Sequence, residues 1–309
     1  MYRILITDEV SNKAIEILKS KKMQVDYQPG ISKEELIKII PNYDAILVRS
    51  RTKLFKDVLE KASKLKVIGR VGVGLDNIDV DFAKSRGIKI VTAGEATADS
   101  VAELTICLMI ALSRKVLIGD ELLRRGIWGK SICFGTQLAG KTLGIIGVGR
   151  IGSRVARIAS AMKMKVFGYD ISMDRIKMLQ EEGVNISYVS LDDLLRNSDI
   201  ISIHLPLLKS TRGFINKERV EKMKDGVLLI NTARMELFDF DAVIWGLETG
   251  KIGGLAADTN LKPDHPFVRR LLGFPNVILT PHIGAQTKEG QDRAAIITAT
   301  EVLKALGLS

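Results

Sequence analysis

Short apolar runs alternate with longer amphipathic segments along the chain, and this alternation predicts parallel βαβ units. Residues 12–20 carry apolar side chains at helical spacing, and Ser32 with Glu35 forms a capping-box signature ahead of another helix. The strands predicted in this first series are 3–7, 25–27, 45–48, 66–69 and 89–91.

A second series of strands and helices follows a long apolar helix. This helix is predicted to start at Asp99 or Ser100, and it is apolar nearly all round from 101 to 112, so we expect it to be buried on several sides. The later strands are predicted at 143–147, 165–170, 184–189, 199–204, 226–231, 254–258 and 277–280. A last helix at 288–306 is expected to return to the first series. The pattern therefore predicts an α/β fold with two domains.

Length and composition agree with a globular protein of about two domains. The chain has 309 residues, of which 46% are hydrophobic and 27% charged, and this excludes a disordered chain. Cys107 and Cys133 are too few for a disulfide framework or a metal cage, so we predict no metal site. The N-terminus lacks a signal-peptide pattern, and no apolar run approaches the roughly 20 residues that span a bilayer. We expect a cytoplasmic protein without a membrane partner.

The basic net charge raises the question of a nucleic-acid partner. Lys plus Arg number 46 and Asp plus Glu number 36, which gives a formal charge of +10. The sequence has no helix-turn-helix pattern and no basic segment interleaved with aromatic residues, which make up only 5% of the chain. We therefore expect no nucleic-acid partner.

The strongest motif is GVGRIG at 147–152. It follows a predicted strand and opens an amphipathic helix, which is the context of a dinucleotide-binding turn. Gly147 permits the tight turn, Gly149 lets a pyrophosphate approach the backbone, and Gly152 lets helix and strand pack closely. The helix N-terminus supplies amide groups and a positive dipole to the phosphates. An ordinary glycine turn is the alternative interpretation.

Asp170 ends the next predicted strand, 18 residues after Gly152. This is close to the spacing of about 20 at which an acidic residue binds the adenosine ribose. A carboxylate accepts hydrogen bonds from both ribose hydroxyls and repels a 2′-phosphate, so the sequence favours NAD over NADP.

Two further glycine-rich segments match nucleotide-binding patterns less well. Residues 135–142 match the P-loop pattern GxxxxGK[ST], but a strand and a glycine turn follow Thr142, where a P-loop needs a helix, so we reject that function. Residues 69–77 follow a strand of the first series. They predict either a loop whose backbone amides hold a carboxylate or an ordinary structural turn.

The candidate catalytic residues lie at predicted strand ends of the second series. His282 follows the last strand, and Arg234 and Asp258 lie at the ends of neighbouring strands. Sites in open α/β sheets gather at the carboxyl ends of the strands. An arginine binds a carboxylate through two hydrogen bonds, and a histidine acts as a general acid. Beside a nicotinamide these groups suit hydride transfer to a carbonyl, although a lone histidine is more often structural.

Together these residues resemble the D-2-hydroxyacid dehydrogenase family, and within it the branch that oxidises 3-phosphoglycerate. The segments that carry the resemblance are 48–52, 70–79, 100–104, 128–138, 138–152, 231–234 and TPHIGAQT at 280–287. The resemblance implies two Rossmann-like domains, with a doubly wound parallel sheet in each. The cofactor domain, 98–285, is inserted into the substrate domain, 1–97 and 286–309. It also implies NAD as the cofactor and a homodimer built largely on the cofactor domain.

The resemblance further implies roles for individual residues. Arg234 binds the substrate carboxylate and carbonyl, and His282 is the acid/base group. The implied substrate-binding residues are Val71, Gly72, Val73 and Gly74 through their amides, and Arg49, Arg70 and Lys130 as cations facing a phosphate, with Lys130 reaching across the dimer. The implied cofactor-binding residues are Gly147, Gly149, Arg150, Ile151, Gly152, Asp170, His204 and Pro206, and around the nicotinamide Thr232, Ala233, Asp258 and Gly284.

The chain departs from the family pattern at two places near the expected site. The family carries a Glu a few residues after the position of Asp258 that orients the histidine, whereas segment 258–266 is shorter here and contains no Glu. The family usually has two glycines after the arginine, and this chain has Met235 and Glu236. Glu236 and Asp264 are the candidates to replace the missing carboxylate.

The resemblance therefore implies NAD-dependent oxidation of a small anionic D-2-hydroxy acid. It favours the conversion of 3-phosphoglycerate to 3-phosphohydroxypyruvate, a step of serine biosynthesis. The alternatives are a glyoxylate or hydroxypyruvate reductase and a catalytically weak NAD-binding relative that lacks the usual Glu. Because the sequence ends at residue 309, we also expect no C-terminal regulatory domain.

Overall fold

The chain forms two compact units, seen in a computed structural model that describes residues 1–21 and 23–308. Unit 1 comprises Met1–Thr97 and Ala285–Ser309, and unit 2 comprises Ala98–Gly284. The predicted boundaries were 97/98 and 285/286, so the second differs by one residue. Ser309, the end of the predicted first domain, lies outside the described residues.

Unit 1 contains a five-stranded parallel sheet in the order β2-β1-β3-β4-β5. Its strands are β1 (Arg3–Ile6), β2 (Gln24–Tyr27), β3 (Ala45–Val48), β4 (Val67–Arg70) and β5 (Lys89–Thr92). Its helices are α1 (Asn12–Ser20), α2 (Lys33–Ile39), α3 (Lys56–Leu59), α4 (Val80–Ser85) and α13 (Lys288–Ala305). Two separate apolar clusters make up the core of this unit. The order of strands reverses between β1 and β3, and ligands of open α/β sheets bind beside such a point.

Unit 2 contains a seven-stranded parallel sheet in the order β12-β11-β10-β9-β6-β7-β8. Its strands are β6 (Thr142–Ile146), β7 (Lys165–Tyr169), β8 (Ile186–Tyr188), β9 (Ile200–Ile203), β10 (Val227–Asn231), β11 (Ile252–Asp258) and β12 (Val277–Thr280). Its helices are α5 (Ala98–Ser113), α6 (Val116–Arg124), α7 (Arg150–Ala161), α8 (Asp174–Glu181), α9 (Leu191–Asn197), α10 (Lys217–Lys222), α11 (Phe240–Glu248) and α12 (Pro266–Leu271). This is the doubly wound dinucleotide-binding order with one further strand at the edge.

The alternation predicted from the sequence is confirmed. α1, β3 and β12 have the predicted bounds, and both hydrogen bonds of the Ser32–Glu35 capping box are present. α13 packs against α1, β4 and β5, so the last helix returns to the first unit as expected. β6 begins at Thr142, which confirms that the P-loop-like match leads into a strand. Within the described part of the chain, no helix is both long and apolar enough to cross a membrane.

Candidate active site

The glycine turn of unit 2 joins β6 to α7 and leaves open space at the helix N-terminus. Gly147 has a φ of +93°, and a Cβ at Gly152 would lie 2.2 Å from the Gly147 carbonyl oxygen, so side chains do not fit either position. A Cβ at Gly149 would meet no atom of the described chain within 4 Å. Gly149 is the N-cap of α7, and the amides of the first helical turn, which includes Arg150 and Ile151, have no acceptor within the helix. The turn therefore fits a pyrophosphate.

Asp170 is fixed against this turn by hydrogen bonds. Its Oδ2 accepts from the Val148 amide at 2.7 Å, and its Oδ1 accepts from the Ser172 amide at 3.0 Å. The Gly147 amide donates to the carbonyl oxygen of Tyr169, the last residue of β7, at 2.8 Å. The lone pairs that remain on the carboxylate suit the hydroxyls of an adenosine ribose, and its charge disfavours a 2′-phosphate.

His204 and Pro206 follow β9 beside the glycine turn. The His204 amide donates to the Ile146 carbonyl oxygen at 2.8 Å, and its Nε2 lies 2.9 Å from the Ser202 hydroxyl. Its Nδ1 is buried without a hydrogen-bond partner among the described residues, and burial lowers the pKa of His204 to about 4. The imidazole is therefore neutral at pH 7. Pro206 is exposed, and its carbonyl oxygen accepts from the Thr211 hydroxyl at 2.6 Å.

Thr232, Ala233 and Arg234 leave the carboxyl end of β10. The Thr232 and Thr105 hydroxyl oxygens lie 2.8 Å apart. Since the Thr105 hydroxyl donates to the Val101 carbonyl oxygen, Thr232 is the donor between the two hydroxyls. This bond anchors the start of the segment on α5. The Arg234 Nη1 donates to the Ala233 carbonyl oxygen at 2.9 Å, and Arg234 is half-buried.

Asp258, buried at the end of β11, holds the turn that carries His282. Its Oδ1 accepts from the Thr280 hydroxyl at 2.6 Å and the Ile283 amide at 2.8 Å, and its Oδ2 accepts from the Gly284 amide at 2.7 Å. His282 lies within this hydrogen-bonded turn at a φ of +56°, a conformation that a non-glycine residue keeps only when its surroundings enforce it. Asp258, which the resemblance places beside the nicotinamide, thus accepts three hydrogen bonds from the residues that flank His282, the candidate acid/base.

The two carboxylates considered as replacements for the missing Glu have different surroundings. Asp264 lies exposed in the turn before α12. Glu236 is half-buried, and its Oε2 accepts a hydrogen bond from the Asn260 Nδ2 at 3.0 Å. Of the two, only Glu236 is held by a hydrogen bond of the described chain at the carboxyl ends of the strands of this sheet, through Asn260, which follows β11.

In unit 1, Asp8 and Arg49 occupy the point where the strand order reverses. Asp8 is buried after β1, and its carboxylate accepts from the Arg49 amide at 2.5 Å and from the Thr52 hydroxyl at 2.6 Å. The Arg49 Nη1 donates to the Glu9 carbonyl oxygen at 3.3 Å. Burial lowers the pKa of the Arg49 guanidinium, which still remains charged at neutral pH. A cation therefore lies where ligands of such sheets bind.

The loop after β4 supplies backbone amides beside Arg70. The Val71 amide donates to the Val48 carbonyl oxygen at 2.8 Å, so the expectation that this amide binds substrate is wrong. The amides of 72–74 have no acceptor among the described residues of unit 1. The Arg70 Nη1 donates to the Val71 carbonyl oxygen at 2.7 Å and lies 1.5 Å from where a Cβ on Gly72 would be. Gly72 therefore makes room for the guanidinium.

The predicted site residues thus divide into two groups, one at the carboxyl edge of each sheet. Lys130 belongs to neither, because it lies exposed in the segment between α6 and β6. Sequence reasoning missed Asp8 and Asn260. The position of Asp8 directly after β1 was a usable signal, whereas nothing in the sequence pattern indicated Asn260. No cluster of three or more His, Cys, Asp or Glu side chains suited to a metal ion occurs in the described chain.

Comparisons with known proteins agree with this geometry. The hydroxypyruvate reductase of Thermotoga maritima is 41% identical over 309 residues, which cover 99% of each chain. The D-3-phosphoglycerate dehydrogenase of Methanocaldococcus jannaschii is 42% identical over 99% of this chain and 58% of its own length. The chain therefore spans a little over half of that relative. The crystal structure of a D-lactate dehydrogenase from Aquifex aeolicus with NAD and lactic acid has a TM-score of 0.85 and 33% identity, covering 99% and 96% of the two chains.

The fold and the glycine turn define the class as a dinucleotide-binding α/β protein. Residues 106–284 match the NAD-binding domain of the D-isomer specific 2-hydroxyacid dehydrogenases, and the chain belongs to this family. The expected family, the expected fold and NAD as the cofactor are confirmed.

Proposed function

We propose that the protein oxidises 3-phosphoglycerate to 3-phosphohydroxypyruvate with NAD. The observation that carries this proposal is a pair of arginines at the ends of two neighbouring strands: Arg70 pairs in register with Val48, the residue before Arg49. With the amides of 72–74, this edge of unit 1 offers two cations and three N–H donors. Such a set suits a substrate with both a phosphate and a carboxylate.

The proposed roles in unit 2 follow from the chemistry of each group. The glycine turn and Asp170 hold NAD, which supplies the acceptor for the hydride that leaves C2. Arg234 binds the substrate carboxylate, and His282 accepts the proton of the C2 hydroxyl in oxidation. In the reverse direction His282 donates that proton to the carbonyl oxygen. Asp258 keeps the His282 turn in its left-handed conformation.

Reduction of hydroxypyruvate is the second candidate function. It is favoured by the similarity to the Thermotoga hydroxypyruvate reductase, which extends over 99% of both chains. Hydroxypyruvate has the carboxylate and carbonyl of the phosphorylated substrate without the phosphate. The two candidates therefore differ in whether Arg49 and Arg70 bind a phosphate.

Steady-state kinetics at 340 nm tests the proposal. 3-Phosphoglycerate, D-glycerate and D-lactate are compared with NAD⁺, and 3-phosphohydroxypyruvate, hydroxypyruvate and glyoxylate with NADH. We expect kcat/KM for each phosphorylated substrate to exceed that of its unphosphorylated counterpart by at least about tenfold. A preference for hydroxypyruvate would favour the second function. NADH binding without turnover of any compound would identify a catalytically silent relative.

We also propose that the protein is a homodimer that uses an apolar arm of unit 2. The arm comprises α6 and the segment that follows it, 125–137. No residue of α6 is buried, and Trp128 and Phe134 are 80% and 85% exposed. Exposed apolar surface of this extent is typical of a protein interface, and a second copy of the chain is the partner that the family resemblance implies. Lys130 is an exposed residue of this arm, so the proposal places its ammonium group at or beside the interface of such a dimer.

A further inference from the structure

Two asparagine side chains hold the peptide group that joins Arg234 to Met235. The Asn231 Nδ2 donates to the Arg234 carbonyl oxygen at 2.9 Å, and the Met235 amide donates to the Asn260 Oδ1 at 3.0 Å. Both polar groups of this peptide are thus bonded to side chains. We call Asn231 and Asn260 the asparagine clamp. The two residues come from neighbouring strands, since Asn231 ends β10 and Asn260 follows β11.

The orientation of the Asn260 amide is determined by its two neighbours. The Met235 amide is a donor and requires the Oδ1, while the Glu236 carboxylate accepts from the Nδ2 at 3.0 Å. An aspartate at this position lacks the donor, and an alanine lacks both groups. Glu236 therefore acts on the peptide indirectly, by fixing which atom of Asn260 faces Met235.

The residues after Arg234 are anchored in the core as well. Met235 and Leu237 lie in a 3-10 turn and are fully buried, and the Glu236 carbonyl oxygen accepts from the Gly213 amide at 2.9 Å. In the family pattern two glycines stand at 235 and 236, and glycines leave a backbone with more conformational freedom. Glu236, which stands where the family has a glycine, is thus bonded to Asn260, which lies in the segment that is shorter here. Together the two residues restrict the backbone that carries Arg234.

We propose that Asn260, held by Glu236, is a positioning residue that orients Arg234 for the substrate carboxylate. The proposal rests on the proposed role of Arg234 in binding that carboxylate. A guanidinium held at a fixed angle loses less entropy when it forms two parallel bonds to a carboxylate. Loosening the clamp therefore weakens substrate binding more than it slows the chemical step.

The first test combines kinetics with a charge-exchange rescue. In Asn260→Asp the second carboxylate oxygen faces Glu236 and repels it. We expect this variant to raise KM for hydroxypyruvate and 3-phosphohydroxypyruvate about tenfold, with kcat changed less than about threefold. Glu236→Gln alone retains an acceptor for Asn260, so it is expected to raise KM less than Asn260→Asp does. In the double variant Glu236→Gln/Asn260→Asp, the glutamine donates to the aspartate, so KM is expected to return to within about threefold of wild type.

The second test measures the clamp without turnover. Hydrogen exchange of the Met235 amide is expected to be slow in the wild type and at least about tenfold faster in Asn260→Ala, because its acceptor is gone. Asn276→Ala is the matched control, because it removes an asparagine that also bonds to the backbone: its Nδ2 donates to the Gly253 carbonyl oxygen at 2.9 Å. This bond lies at the amino ends of the strands of the same sheet, away from Met235. This control is expected to change neither Met235 exchange nor KM.

The outcomes separate the clamp from the proposed function. Unchanged Met235 exchange in Asn260→Ala overturns the clamp itself. Three other results would overturn the positioning role. They are an unchanged KM in Asn260→Ala despite faster Met235 exchange, a KM of the double variant that stays as high as that of Asn260→Asp, and a lowered kcat in Glu236→Gln. Absence of turnover by the wild type contradicts the proposed function and with it the role of Arg234 on which the inference rests, while the exchange measurement still reports whether the clamp exists.

Discussion

At the scale of single residues, the candidate acid/base depends on one buried carboxylate. Asp258 accepts three hydrogen bonds from the residues around His282. Its Oδ2 accepts the bond from the Gly284 amide, and a Cβ added to Gly284 would lie only 3.1 Å from this oxygen. The left-handed φ of His282 is unfavourable for a residue with a side chain, so it persists only while these bonds hold. Removing one of them therefore affects the position of the imidazole.

We predict that Asp258→Asn lowers kcat by about 10- to 100-fold. An asparagine has one acceptor where the turn needs two, and its NH2 group faces a backbone N–H. The measurement is steady-state kinetics together with a thermal melt, in which the midpoint is also expected to fall. Asp264→Asn removes an exposed carboxylate of the same region and serves as the control. A kcat within twofold of wild type for Asp258→Asn would contradict this role.

His204 predicts a pH dependence of stability. Its pKa of about 4 in the folded chain lies below the ordinary value of 6.5, so the unfolded chain binds the additional proton between these two values. The free energy of unfolding therefore falls as the pH is lowered through this window, by about 2 kcal/mol between pH 7.5 and pH 5. Denaturant melts of wild type and His204→Gln at both pH values measure the difference. Equal losses in the two proteins would show that His204 does not contribute.

At the scale of elements, two glycines of the β6–α7 turn have different functions, one in packing and one in leaving space for the cofactor. A Cβ at Gly152 would collide with the Gly147 carbonyl oxygen at 2.2 Å, whereas a Cβ at Gly149 would meet no described protein atom within 4 Å. Gly152 is required by the packing of the turn, whereas Gly149 leaves open space of the kind that suits a pyrophosphate.

We predict that Gly149→Ala and Gly152→Ala both weaken NADH binding by at least about tenfold, for different reasons. Only Gly152→Ala is expected to lower the melting midpoint, because only there does the backbone have to shift. NADH fluorescence titration and thermal melts distinguish the two effects. Gly273→Ala, where a Cβ would lie 3.4 Å from the Arg270 carbonyl oxygen, is the control. Normal NADH binding by Gly149→Ala would exclude the proposed phosphate position.

In the proposed function, the substrate preference depends on the cations at the carboxyl edge of the unit 1 sheet. We predict that Arg49→Gln lowers kcat/KM for 3-phosphoglycerate by about 10- to 100-fold, because a charge-assisted contact to the phosphate is lost. Activity with D-glycerate, which has no phosphate, is expected to change less than about threefold. Arg86→Gln is a matched control, since its Nη1 makes long hydrogen bonds to the Leu59 and Glu60 carbonyl oxygens, both at 3.4 Å. Equal losses with both substrates would assign Arg49 a structural role.

At the scale of the whole molecule, the exposed arm predicts the assembly. We expect the wild type to sediment as a dimer and Trp128→Glu to sediment as a monomer, because a carboxylate at an 80% exposed apolar position opposes burial in an interface. Leu272→Glu, at another exposed apolar residue of unit 2, is expected to remain dimeric. Sedimentation velocity measures both. A monomeric wild type would contradict the proposed dimer.

The sequence by itself determined the architecture and the cofactor turn, because both depend on local information. The alternation of apolar runs and amphipathic segments specified the strands and helices, and the spacing of Gly147, Gly149 and Gly152 before Asp170 specified the dinucleotide site. These signals lie within single βαβ units. A pattern confined to neighbouring residues can be interpreted before the chain is folded.

Only the tertiary structure decided which polar groups meet across strand ends. The bonds from Asp258 to the His282 turn and from Asn260 to Met235 and Glu236 join residues more than 20 positions apart. The hydrogen bond from the Val71 amide to the Val48 carbonyl oxygen of β3 could likewise not be predicted from the sequence. Hydrogen bonds depend on distance and direction, and for residues this far apart these are set by sheet order and register. Local pattern identified the candidate residues, and folding determined what each of them binds.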